Sequence, residues 1–130
     1  MTFDIKKFKE TGLDVGIRPA LFEFVPKDNS NLKYLISRVH LSFSTATDNV
    51  MDRVIKMSML ENDNFDAFHW LISLGPNQLN ASLNSYRLDG TLIKEFPVGF
   101  KIDSFHSTFD WEKPDEILRW SVAGKINFIS

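Results

Sequence analysis

Cysteine is absent from this chain. That excludes disulfide bridges and thiolate metal sites, so packing and hydrogen bonds must hold the fold. A surplus of positive charge is missing too: 15 Lys and Arg stand against 17 Asp and Glu, giving a formal charge of −2 and a pI near 5.9. Proteins that read nucleic-acid sequence carry a basic footprint, so tight direct DNA binding is not expected. No apolar run approaches the roughly 20 residues that cross a bilayer as a helix. The N-terminus has Asp4 and Glu10 among its lysines and no apolar stretch of the kind a secretion signal needs. Synthesis inside the cell, with no membrane anchor, is the expectation.

Reaction chemistry is equally sparse. The three histidines, His40, His69 and His106, show neither a HExxH spacing nor an i, i+4 pair that would make a zinc site. Asp103 and His106 are close in sequence, yet one carboxylate and one imidazole in a strand region read as surface groups. Glu61, Asp63 and Asp66 form an acidic cluster whose physical role is helix capping, because the alternating ligands and central glycine of a calcium loop are missing. No GxSxG elbow occurs, and Gly12 and Gly16 precede no strand-to-helix turn that could cradle a phosphate. The chain is read as no enzyme, with no catalytic residue, cofactor or metal.

What is present is aromatic and alternating. Phe occurs 12 times and Trp 3 times in 130 residues, enough for one domain with a core of Phe, Trp, Ile and Leu. Residues 1–17 read as an N-terminal arm, in which Phe3, Ile5 and Phe8 sit among lysines before Gly12 and Gly16 break the pattern. Arg18-Pro19 opens a first strand over residues 20–25, with Leu21, or Leu21 and Phe22, packed inward; Pro19 suits a first position where no ladder donor is needed. Residues 26–31 are dense in turn formers and predict a hairpin loop. A second strand follows over 33–43, with Leu35, Val39, Leu41 and Phe43 on one face and Tyr34, Ile36, Arg38, His40 and Ser42 on the other. Residues 45–52 form a polar connection. A third strand over 53–60 then places Ile55, Met57 and Met59 together.

One helix is predicted over about residues 64–74, with Asp63 as N-cap, a stripe of Phe65, Phe68, Leu71 and Ile72, and Gly75-Pro76 as its stop. Asp89-Gly90 marks a hairpin between residues 79–88 and 91–98. Leu92, Phe96, Val98, Phe100 and Ile102 keep to even positions, and Pro97 suggests an edge or bulge near residues 97–99. Phe105, Ser107, Phe109 and Trp111 alternate again before a turn at 112–115. The last stretch, residues 117–128, has Leu118, Trp120, Val122, Ile126 and Phe128 on one side and Arg119, Ser121, Lys125 and Asn127 on the other. At about 3.3 Å per residue it could extend roughly 40 Å. The fold class expected is mainly β: an antiparallel β-sandwich or barrel of six to seven strands with one short helix laid against it. Long strands with one polar face and open margins invite pairing with another chain, so sister copies are expected to complete the C-terminal strand.

In the order of its motifs, the chain resembles the tail tube proteins of contractile-tailed bacteriophages and other contractile injection systems. The features are Phe8 and Gly12 ahead of Arg18-Pro19-Ala20-Leu21-Phe22; Val54-Ile55-Lys56-Met57-Ser58-Met59 leading to Glu61-Asn62-Asp63 and Phe65, Phe68 and Trp70; Tyr86-Arg87-Leu88-Asp89-Gly90; and Gly99, Phe109-Asp110-Trp111 and the closing stretch from Ile117. The resemblance implies a single tail-tube-like domain over residues 1–130 and a structural virion protein, made in the host cytoplasm. It further implies a homohexameric ring that stacks into an inner tube within a sheath, meets baseplate proteins, and passes DNA without sequence-specific binding. Six copies at −2 each carry about −12 per ring, a sign that repels passing phosphate. Such tubes usually have a longer excursion between their early strands than residues 44–52 provide. A ring used once, as tube initiator or baseplate hub component, is therefore the alternative. A monomeric β-sandwich binding module, with an aromatic pocket made from Trp70, Trp111 or Trp120, is the alternative from another class.

Overall fold

In a computed structural model of the chain, residues 4–11, 20–44 and 53–129 are described. Six strands, β1 (Phe22–Pro26), β2 (Ile36–Phe43), β3 (Arg53–Leu60), β4 (Leu79–Tyr86), β5 (Leu92–His106) and β6 (Arg119–Phe128), join one sheet in the order β1-β4-β5-β6-β3-β2. Every pairing is antiparallel, and the sheet curls into a half-barrel. Helix α1 (Ile5–Glu10) lies near the N-terminus, where the Asp4 carboxylate accepts the Lys7 N–H at 3.1 Å. Helix α2 (Asp66–Leu74) lies between β3 and β4 in sequence. The mainly-β class holds, as one open sheet in place of two stacked ones. The expected break at Gly12 and Gly16, the Arg18-Pro19 entry and the polar connection 45–52 lie outside the described residues.

Alternation explains the strands. In β6, Trp120, Val122 and Ile126 are buried while Arg119 and Ser121 are exposed. Across the sheet Val122 lies opposite Met57 of β3 and Phe105 of β5, so apolar side chains meet along the same face. The expectation that sister copies must complete this strand is corrected here. Both margins of β6 are sealed within the chain, because β3 and β5 return to flank it. The strands that end the sheet are β1 and β2. Residues 26–31 accordingly do not make a hairpin. Pro26 ends β1 on one side of the sheet, the 3-10 turn Ser30–Tyr34 follows, and β2 lies at the opposite side.

The longest strand is β5, at 15 residues. Its register slips between Ile102 and Ser104, a bulge that switches the inward positions from even (Val98, Phe100, Ile102) to odd (Phe105). That switch makes one strand read as two. Pro97 is no edge residue: it lies opposite Ser82 of β4, and its carbonyl accepts the Ile129 N–H at 2.9 Å. Next to the bulge the backbones crowd, and a Cβ on Gly124 would sit 2.2 Å from the Lys101 carbonyl oxygen. Only glycine fits that approach. A second bulge, between Ile36 and Arg38, turns Ile36 into the core although simple alternation put it on the polar side.

Helix α2 covers the apolar face. Its buried residues are Ala67, Trp70, Leu71 and Leu74, spaced i, i+3, i+4 and i+7. The expected stripe is thus rotated, leaving Phe65 and Ile72 exposed. Trp70 packs on Phe100 with ring centroids 6.2 Å apart and donates its indole N–H to Asp28 at 2.8 Å. Phe24 meets Phe100 edge-on at 5.3 Å. Each such buried side chain stabilises the fold by roughly 1.5–3 kcal/mol.

Candidate interaction surface

The start of α2 shows how the chain places charge. The expected N-cap, Asp63, is exposed and takes no such role; Phe65, with φ of 57°, occupies the cap position. The cap comes instead from Glu61, a buried carboxylate at the end of β3. One of its oxygens accepts the N–H groups of Asn62 and Ala67, each at 3.1 Å. The other accepts the Phe68 N–H at 2.9 Å and the Trp120 indole N–H at 2.8 Å. A negative charge at the positive end of a helix, holding otherwise orphaned donors, ties α2 to β6. Asn62 and Asp66 complete the turn through two hydrogen bonds of their own. Of the acidic cluster expected to cap the helix, Glu61 therefore does so, with Asn62 accepting the Asp66 N–H, and Asp63 does not.

Beside this cap, Phe65, Phe68, His69, Phe109 and Trp120 line an apolar slot of about 340 Å³. Phe68 stacks on Trp120 at 5.4 Å. Of the three tryptophans expected to form a pocket, Trp120 alone contributes: Trp70 is spent in the core, and Trp111 is 99% exposed. His69 stands at this slot, apart from the other two histidines.

The opposite face of the sheet is polar, and two rungs cross it. Arg38 of β2 lies opposite Ser58 of β3, which faces Ser121 of β6, which faces His106 of β5. One step along, His40, Lys56, Ala123 and Ser104 form the next rung. His40 and His106, far apart in sequence, thereby share one groove. Asp103 pairs with Lys125 at 3.4 Å and not with His106. Among the described residues, no group of three or more His, Asp or Glu could hold a metal ion. No described helix is long and apolar enough to cross a membrane.

The two end strands differ. At β1, Glu23 accepts a hydrogen bond from the Tyr86 hydroxyl and pairs with Lys33 at 3.2 Å. The Tyr86 hydrogen bond, with Lys33 adding to it against partial burial, holds the Glu23 carboxyl below its usual value. The same carboxylate raises Lys33 and Tyr86. At β2, an eight-residue strand exposes Ser37, Arg38, His40 and Ser42, and Phe43 closes it. Phe43 meets Phe128 at 5.9 Å and Phe128 meets Phe96 at 5.8 Å, an aromatic group half open to solvent. None of this geometry was visible in sequence, because it depends on which strands become neighbours. The even-odd pattern did mark which side chains face solvent in β3 and over residues 119–126.

No protein-family model matches this chain, and no curated protein matches it.

Proposed function

We propose that the chain is a structural subunit of a ring: a tail-tube-type protein of a contractile phage tail that assembles edge to edge with copies of itself. The observation that carries the reading is the open sheet. Among the described residues its end strands, β1 and β2, each pair along one margin and keep the other. Joining β2 of one copy to β1 of the next is a head-to-tail contact, which closes into a ring when the rotation allows. It would also remove the exposed edges that otherwise favour uncontrolled pairing. The helix-clad face then turns to the outside of the assembly and the polar face to its channel, through which DNA passes. Beyond Pro97 the first residues of β5 pair with β4 alone, so this hairpin projects past β6. With Phe43, Phe96 and Phe128 half exposed beside it, that end supplies apolar surface for a stacked ring, the sheath or the baseplate.

A ring used once, as initiator or hub component, rests on the same edges. A monomeric binding module is favoured by a different observation, the apolar slot at Trp120. Sedimentation over a concentration series, with negative-stain microscopy of the fastest species, separates them. Rings or tubes are the expected result. A strictly monomeric species at high concentration, with tryptophan fluorescence quenched by small apolar ligands, would transfer the reading to the binding module.

A further inference from the structure

The groove on the polar face encloses about 550 Å³, and its polar lining is Arg38, His40, Lys56, Ser58, His106 and Ser121. No carboxylate lines it, although acidic residues outnumber basic ones in the whole chain. Asp103, the acidic neighbour of Ser104 in the second rung, is taken up by Lys125. Among the described residues, the side chains of Arg38, His40, Lys56 and His106 have no hydrogen-bond or ion-pair partner. His40 lies directly opposite Lys56 in register. Side chains so placed are about 5 Å apart at Cβ, and basic groups at that spacing repel when both are charged. An anion seated between them relieves that repulsion.

We propose that this groove binds phosphate-class oxyanions, from the phosphodiester backbone of a nucleic-acid strand or from free phosphate. Arg38 offers a planar fork that matches two phosphate oxygens, and Lys56 offers a compact point charge. The Ser58 and Ser121 hydroxyls stand between Arg38 and His106 in the first rung as neutral donors, and Lys56 lies beside His40 in the second. No group here is arranged to read base edges, so binding is weak, salt-sensitive and indifferent to sequence. The site goes beyond ring assembly: every residue in it belongs to one chain, and a monomer carries it whole.

The test uses the full chain and two probes, a fluorescein-labelled oligothymidylate read by anisotropy and sodium phosphate as its competitor. The oligonucleotide binds at low salt, and log K falls by about 0.7 per phosphate contacted for each tenfold rise in salt. Arg38→Gln combined with Lys56→Gln weakens binding at least about tenfold and flattens the salt slope by about 1.4, two contacts at about 0.7 each. Lys113→Gln, in a loop outside the groove, leaves both unchanged. Displacement of the oligonucleotide by millimolar phosphate identifies free phosphate as a ligand; resistance to it assigns the phosphodiester. Absence of binding to either probe overturns the proposal, as does equal loss in Lys113→Gln or no loss in the double variant. Should the double variant unfold, the ring proton signals of His40 and His106 in the wild type decide: movement on adding either probe supports the site, and no movement overturns it.

Discussion

The two faces of the sheet are made by the same strands and do opposite things. On the helix-clad face, Ile55, Met57 and Met59 of β3 and Trp120, Val122 and Ile126 of β6 are all buried, each within 8% of full burial. One residue over in the same strands, Lys56 and Ser121 are exposed. Burial returns about 25 cal/mol for each Å² of apolar surface removed from water, and a solvated lysine returns almost none of that. Stability is thus concentrated on one face of the sheet, and the other face is free to carry recognition. The polar face divides further. Around β1 and β4 its carboxylates are engaged, Glu23 by Tyr86 and Lys33 and Glu95 by the Ser82 hydroxyl at 2.9 Å. Around β2 and β3 the cations Arg38 and Lys56 are not, whereas Lys125 of β6 is paired with Asp103.

Substitutions can break this contrast in a graded way. Phe100→Ala removes the ring shared by Phe24 and Trp70, and a loss of about 3–5 kcal/mol is expected in denaturant unfolding. Lys56→Gln, in the opposite parity, should stay within about 0.5 kcal/mol of the wild type. Similar losses from the two would erase the distinction between the faces. Next is Glu61→Ala, which leaves the N–H groups of Ala67 and Phe68 and the Trp120 indole without their acceptor. Loss of a cap together with buried unpaired donors predicts roughly 2–4 kcal/mol, with altered tryptophan emission as the signature. A variant as stable as the wild type would mean that α2 does not depend on this carboxylate.

The smallest effect concerns acid. The Glu23 carboxyl is held below its ordinary value of 4.5, chiefly by the Tyr86 hydrogen bond. A group whose value is depressed by folding stabilises the native state above the unfolded value, and that contribution is lost as pH falls through the folded value. Glu23→Gln should therefore lower stability at neutral pH by under about 1 kcal/mol, because the pair is partly exposed. The difference from the wild type should shrink as pH drops below about 4.5. A gap that stays constant between pH 7 and pH 3 would show that Glu23 acts by packing and not by charge.

How much of this was legible depends on the residues concerned. Strand β3 spans residues 53–60 as alternation indicated, since Ile55, Met57 and Met59 leave little choice of face. The Asp89-Gly90 turn was legible because its chemistry is local: Gly90 has φ of 87°, and the Asp89 carboxylate accepts the Thr91 N–H at 2.9 Å. The bulge at residues 102–104 was not, because a parity switch looks the same as the end of one strand and the start of another. Glu61 was placed in the right cluster, but its role needed Trp120, 59 residues away in sequence. The basic groove was hidden for the same reason. Arg38, Lys56 and His106 are scattered along the chain, and a net charge averages over the patch they form.

Residue order alone settled that this protein is built of alternating strands with a helix between the third and fourth, and which face of β3 and β6 is polar. Periodicity and turn chemistry act over a few neighbouring residues and need no partner to be read. Tertiary structure decided which strands lie side by side, and therefore that β6 is central, that β1 and β2 end the sheet, and that four basic side chains gather in one groove. Strand pairing is a contact between distant segments chosen by the packing of the whole core, and no local pattern encodes that choice.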